Sequence, residues 1–219
     1  MEKHISPSIL ACDILHLEEA IRKVERSGAD YVHIDIMDGV FVPNISFGMP
    51  IVSAVRKITE LTLDVHLMIV EPWKYIETFA KCGADILTLH YEALPEKQIP
   101  DILRAIRQNG MKVALSVKPK TEVSVLFPYL ELLDMILIMT VEPGFGGQKY
   151  IPESADKIAT LHREIQRQGL PIHIQVDGGI NASTIRDASD AGANVFVLGT
   201  AFFTDPSFDA NQTIKELNA

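Results

Sequence analysis

Cysteine is scarce in this chain. Cys12 and Cys82 are the only two in 219 residues, and their separation excludes a C-x-x-C redox or metal motif. Both read as buried free thiols. Long hydrophobic runs are missing too: none reaches the ~18 residues that a membrane helix needs. The N-terminal MEKHISPSIL lacks the basic segment and extended apolar core of a signal peptide. No membrane partner is therefore expected, and the cytoplasm is the default compartment. Nor is there an excess of basic residues. A net charge of −9 argues against a nucleic-acid partner, because phosphate backbones are gripped by clustered Lys and Arg. A small anionic ligand stays open, since backbone N–H groups at helix N-termini can hold a phosphate whatever the global charge. Finally, no linker, low-complexity stretch or charge block divides the sequence. With 47% hydrophobic residues, the chain reads as one domain over residues 1–219, and α/β barrels run to about 200–250 residues as a single unit.

What is present is an alternation. Short runs rich in Val, Ile and Leu occupy 5–11, 31–37, 63–69, 84–90, 112–118, 135–141, 172–178 and 194–199. Amphipathic helical patterns separate them at 17–28, 47–58, 75–83, 99–110, 154–169 and 182–192, and several end on Gly after Lys or Arg. The fifth crossover, 126–133, is the weakest because Pro128 interrupts it. Strands alternating with helices imply parallel pairing through crossovers. Eight such units in a short chain predict an α/β fold of the closed (β/α)₈ TIM-barrel type. The competing architecture is an open doubly wound sheet.

Residues two apart in a strand share a face. In YVHIDIM, Val32, Ile34 and Ile36 suit outer packing, which turns Tyr31, His33, Asp35 and Met37 inward. In LDVHLMI the inward set is Asp64, His66 and Met68; in IHIQVDG it is His173, Gln175 and Asp177. An inward carboxylate is costly unless paired or metal-bound. His33, Asp35, His66 and Asp177 lie toward the strand ends that form the mouth of such a barrel. Two His and two carboxylates make a four-ligand set for Zn²⁺, Fe²⁺, Mn²⁺ or Co²⁺. Taken singly, a His is more often structural, and His4, His16 and His162 are read that way, with His173 as core packing. It is the convergence from three strands that points to a site.

Glycine-rich turns follow the late strands. They are TVEPGFGGQKY (140–150), with Gly144, Gly146 and Gly147, then Gly178-Gly179, then Gly199-Thr200. One such turn is commonly only a turn. Three on neighbouring strands suggest a phosphate cradle.

These blocks carry a resemblance. SPSILACD (6–13), HIDIMDGVFVPNISFG (33–48), DVHLMI (64–69), LHYEA (89–93), MTVEPGFGGQ (139–148), VDGGIN (176–181) and AGANVFVLGTAFF (191–203) together resemble the ribulose-phosphate 3-epimerase family of the pentose phosphate pathway, over nearly the whole length. The resemblance implies an isomerase that interconverts D-ribulose 5-phosphate and D-xylulose 5-phosphate by proton transfer at C3. It implies His33, Asp35, His66 and Asp177 as ligands of one divalent metal, and Asp35 and Asp177 as the proton-transfer pair. Ser8 and His66 match substrate contacts, and Met37, Met68 and Met139 match site-lining methionines. Gly144, Phe145, Gly146, Gly147, Gly178, Gly179, Gly199 and Thr200 match the phosphate-end segment. A sugar phosphate is the expected partner and a homo-oligomer the expected assembly. The sequence departs from the family's usual pattern at Lys120, where Gly is usual, at Val40, where His is common, and mildly at Thr200, where Ser is usual.

Two-sided proton transfer explains the residue types: one carboxylate removes a proton from one face of the carbon and a second returns one to the other face. The nearest rival is a D-allulose 6-phosphate 3-epimerase with the same machinery. A metal-independent decarboxylase or aldolase on a similar barrel needs a Lys near the reacting carbon, where strand three carries His66 instead. A phosphate-binding module without activity would not need the Asp pair and both His.

Overall fold

The computed structural model describes residues 1–218. Its strands are β1 (His4–Pro7), β2 (Tyr31–Met37), β3 (Thr62–Met68), β4 (Ile86–His90), β5 (Lys112–Val117), β6 (Met135–Met139), β7 (His173–Asp177) and β8 (Val195–Leu198). From β2 to β8 each strand pairs in parallel with the next, and β8 pairs with β1. A parallel bridge between Ser8 and His33 spans the remaining gap between β1 and β2. The sheet therefore closes into a (β/α)₈ barrel, and the open doubly wound alternative is set aside.

The crossovers carry α1 (Leu17–Arg26), α2 (Met49–Ile58), α3 (Ile76–Lys81), α4 (Ile99–Gln108), α5 (Ser154–Gln168) and α6 (Ile185–Asp190). Pro50 and Pro100 stand in the first turns of α2 and α4, where a missing N–H costs nothing. The expected helix at 126–133 is instead a 3₁₀ stretch, Val123–Leu132, with Pro128 inside it. Pro128 cannot donate to the carbonyl four residues back and its ring crowds that turn, so a regular α-helix does not form. The pattern at 182–192 shrinks to α6 because Asn181 ties the preceding turn, accepting from the Ser183 N–H at 2.9 Å and its hydroxyl at 2.6 Å. Two further helices, α7 (Thr200–Thr204) and α8 (Ala210–Asn218), follow β8, beyond the six amphipathic patterns. Cys12 and Cys82 are free but half-buried; each sits at the edge of the core and not inside it. Among the described residues no helix is long and apolar enough to cross a membrane.

Period-two alternation sorts the side chains as expected. Val32, Ile34 and Ile36 join Ile21 and Val24 of α1 and Val52 and Val55 of α2 in the large core between sheet and helices. Inside the barrel, Tyr31, Ile86, Ala114, Met135 and Val195 form a separate apolar plug. His173 lies at that lower end, half-buried, 2.7 Å from the Asn194 amide and 5.7 Å ring-to-ring from His4.

The outer core should dominate stability. Leu87, fully buried in it, is expected to cost about 2–5 kcal/mol on replacement by Ala, the transfer loss plus an unfilled cavity. Urea unfolding checks this, and an unchanged midpoint would contradict it.

Candidate active site

Barrel closure brings the C-terminal ends of β2, β3 and β7 together. Register places Asp35 of β2 beside His66 of β3. One ligand atom from each of His33, Asp35, His66 and Asp177 can be chosen so that all four lie within 4.8 Å of one another. His33 Nε2 stands 3.3 Å from Asp35 Oδ1 and 3.9 Å from Asp177 Oδ2. His66 Nδ1 stands 3.2 Å from Asp35 Oδ1 and 3.9 Å from Asp177 Oδ2. His33 and His66 are wholly buried and Asp35 nearly so, whereas the Asp177 side chain keeps 18% of its surface exposed.

Three of these groups are held from behind. Asp64 Oδ2 lies 2.7 Å from His33 Nδ1 and also accepts from Ser6 at 3.2 Å and Gln175 at 2.5 Å. The Ser8 hydroxyl donates to Asp35 Oδ2 at 2.6 Å. His66 Nε2 lies 2.9 Å from His90 Nε2, and His90 Nδ1 lies 3.3 Å from Glu92 Oε2. Sequence alone gives no role to Asp64, His90 or Glu92. Asp64 is visible there only as an inward residue of its strand, and His90 and Glu92 only as letters within LHYEA. Inward alternation on β4 could have marked His90; nothing local marks Glu92.

Among the protein groups alone the cluster is electrostatically uneven. Burial, reinforced by the neighbouring Asp35 charge, pushes the Asp177 carboxyl up to about 6. Burial would raise Asp35 as well, but His33 and His66 outweigh it and hold that carboxyl well below the usual carboxylate range. Burial opposes a proton on His33, yet Asp64 and Asp35 overcome it and raise that imidazole well above its ordinary value. His33 Nε2 is nevertheless buried without a hydrogen-bond partner. An orphaned ring nitrogen facing two carboxylates is a place where a divalent cation can take over from a proton. Donors bound to one ion at ~2.0–2.2 Å stand about 3–4 Å apart, a spacing these pairs match. The residues present therefore fit a metal held by nitrogen and oxygen donors.

Above the cluster opens a cavity of about 360 Å³. Ser8, Asp35 and Asp177 reach its wall, and Met37, Met68 and Met139 supply apolar lining. Gly144, Phe145, Gly146 and Gly147 border it from the β6–α5 loop, and Gly178, Gly179, Gly199 and Thr200 from the turns after β7 and β8. His33 and His66 do not reach it, so His66, matched above to a substrate contact, sits beneath the cavity surface. Val40 and Lys120 are both exposed and neither lines the cavity. Two of the glycines have a packing reason. Gly178 and Gly179 adopt φ 121° and 67°, and a Cβ would run into the Val141 side chain and the Tyr150 backbone respectively. Their lack of side chains lets the β6 and β7 loops touch.

A family model described as the ribulose-phosphate 3 epimerase family matches residues 4–203. A curated ribulose-phosphate 3-epimerase from Synechocystis sp. is 46% identical, with 93% of this chain and 89% of that protein aligned. Another, from Bacillus subtilis, is 45% identical with 97% of each covered. Among solved structures, KGPDC from Streptococcus mutans superposes with a TM-score of 0.71 at 13% identity, over 100% of each chain. A 3-hexulose-6-phosphate synthase gives 0.68 at 17% identity, over 98% of this chain and 97% of that one. At such identities the two structures share the barrel alone.

The raised Asp177 carboxyl has a measurable consequence in chelator-treated protein. A folded-state value above the unfolded one favours the folded state fully below the unfolded value, and that contribution is lost as pH rises through about 6. Between about pH 4 and pH 6.5, metal-free protein should lose on the order of 2 kcal/mol relative to Asp177→Asn. Urea unfolding across this range tests the point; parallel curves for the two proteins would refute it.

Proposed function

Because the chain belongs to the ribulose-phosphate 3-epimerase family and is an epimerase, we propose that it interconverts D-ribulose 5-phosphate and D-xylulose 5-phosphate with Asp35 and Asp177 as the proton-transfer pair. The observation that carries this reading is geometric: Asp35 of β2 and Asp177 of β7 both reach the floor of the cavity, from different strands. Two carboxyls reaching one cavity from different strands can serve as base and acid on opposite faces of a substrate carbon. Asp35 is anchored by Ser8 and both histidines, so it acts from a fixed position. Asp177, more open to the cavity, faces it from the far strand. With substrate across the mouth, one carboxyl removes the C3 proton, an enediolate forms, and the other carboxyl returns a proton to the opposite face.

His33, Asp35, His66 and Asp177 would hold the divalent metal, with Zn, Fe, Mn and Co all compatible with the donor set. When bound, such an ion supplies Lewis-acid stabilisation of the negative charge that develops on the substrate oxygens. The three methionines exclude water from the reacting carbon. The phosphate is assigned to the glycine-bordered end, where its binding energy holds C3 in place. Free cysteines and a charged metabolite as substrate support a cytoplasmic setting.

Asp177→Asn should lower kcat by about 10²–10⁴-fold while the protein stays folded, and chelation should silence the wild type until metal is restored. A coupled assay of D-xylulose 5-phosphate formation reads both, with D-allulose 6-phosphate run alongside. Full turnover by the variant would overturn the carboxylate roles; a preference for the hexose would change the substrate and leave those roles in place. The β6–α5 loop is proposed to close over substrate. Its base is tied by the Asn44 amide to the Gly144 carbonyl at 2.9 Å, and Phe145 at its tip is 54% exposed. Limited proteolysis at 140–150 should slow when substrate is added, and equal rates would refute closure.

A further inference from the structure

The glycine-bordered end of the cavity and the floor that carries Asp35 belong to different loops and strands. A sugar phosphate spans them only if they stand a fixed distance apart. One side chain joins the two. Asn44, in the loop 38–48 after β2, donates its amide to the Gly144 carbonyl at 2.9 Å, across a hundred residues of chain.

On its own side Asn44 stands on a braced loop. The Asp38 carboxylate accepts from the Val40 and Phe41 N–H groups at 2.8 Å each, and through its other oxygen from the Val70 N–H in the loop after β3, also at 2.8 Å. The Gly39 N–H donates to the Asn44 carbonyl at 2.8 Å. Ser46 accepts from the Met37 N–H at 3.0 Å and donates to the Asp35 carbonyl at 2.5 Å. Side-chain bonds of this kind fix a turn without a regular ladder. The contacts on both sides of Asn44 lead back to the end of β2, where Asp35 sits.

On the far side the turn 142–148 carries its own shape. Gln148 donates to the Glu142 carbonyl at 2.6 Å and to the Phe145 carbonyl at 2.8 Å. Those bonds give the turn no place relative to β2. Gly144 supplies one. It is buried, its φ is 126°, and a Cβ there would stand 3.2 Å from Val42 Cβ and 3.4 Å from Pro43 Cδ. Two independent features, an amide donor and a missing side chain, therefore bring the turn against the 38–48 loop.

We propose that Asn44 is a positioning residue: by tying the glycine-rich turn to the frame that carries Asp35, it sets the distance between the bound phosphate and the reacting carbon. The proposal rests on the proposed function, which gives the glycine-bordered end to the phosphate. Binding energy collected at that end speeds the reaction only when it holds C3 in place. A misplacement of about 1 Å, made far from the chemistry, can cost about 10²-fold. Because Gln148 keeps the shape of the turn, loss of the Asn44 amide should displace the phosphate without dismantling its site.

The test uses the full-length, metal-reconstituted protein and two variants. Asn44→Leu keeps the bulk and removes the donor; Asn44→Asp keeps the shape and sets an acceptor against the Gly144 carbonyl. Three quantities are compared with wild type: kcat/KM for D-ribulose 5-phosphate, kcat/KM for D-ribulose followed as C3 proton exchange in D₂O, and the Ki of inorganic phosphate. Both variants should lose at least about tenfold on the phosphorylated sugar and stay within about twofold on the other two quantities. Undiminished turnover of D-ribulose 5-phosphate would overturn the proposal. So would an equal loss on both sugars, which marks general damage, or a phosphate Ki that rises in step, which marks a collapsed turn and not a lost register. Wild type inactive on both D-ribulose 5-phosphate and D-allulose 6-phosphate would defeat the substrate reading itself, and the role of Asn44 with it.

Discussion

The site depends on one constraint: Asp35 and Asp177 approach the same two buried imidazole nitrogens. Two carboxylates so placed repel each other, and burial adds a desolvation cost that neither escapes alone. The protein part of the answer is asymmetric. Asp35 receives a serine hydroxyl and both histidines, whereas Asp177 receives no comparable support and drifts toward its protonated form. A cation would relieve the remainder, and under the proposed function the pair's use lies in its reaching the cavity from two strands.

A cluster of this kind survives only on a rigid frame whose stability comes from elsewhere. The barrel supplies it by separating its two faces. Outward residues of the strands merge with the helices into one large apolar core, and the lower interior is sealed by the plug around Tyr31 and Met135. The middle and upper interior is then free to be polar, with Ser6, His33, Asp64, Thr88, Ser116 and Gln175 all fully buried. Because adjacent strands are in fixed register, a side chain on β2 cannot shift relative to one on β3 without breaking the ladder between them. The Ser8–His33 bridge that closes the barrel lies at the cluster itself, so closing the ring also fixes where His33 stands.

Much of this was legible in the sequence because a strand's period of two is a strong local signal. Val32, Ile34 and Ile36 alternate with His33 and Asp35, and that pattern alone assigns faces. What was not legible depends on distances across the chain. Glu92 follows its strand by two residues and looks like any acidic residue in a turn; its significance comes from Lys118 and Thr121, which lie on another loop. Asp64 reads as inward, but only the barrel's curvature shows that it backs His33. The 3₁₀ stretch around Pro128 and the short helices α7 and α8 escape for a different reason: brief or interrupted segments carry too few turns to display a period.

Under the proposed function, chemistry and substrate selection sit on different parts of the fold. The four cluster residues and Asp64 lie within strands β2, β3 and β7, where packing on both faces resists change. The glycine-bordered end of the cavity, which the proposed function gives to the phosphate, belongs to the loops after β6, β7 and β8. A methylene more or less in a substrate is worth only about 1–3 kcal/mol of discrimination, an amount that loop residues such as Phe145 or Thr200 can supply without disturbing a ligand. Proton transfer beside a ketone can thus be kept while the sugar changes. The converse does not hold, because altering Asp35 or His66 would disturb the electrostatic balance on which the whole upper interior is built. Val40 and Lys120, the clearest departures from the family's usual sequence, fall on the loop side of that division and outside the cavity wall.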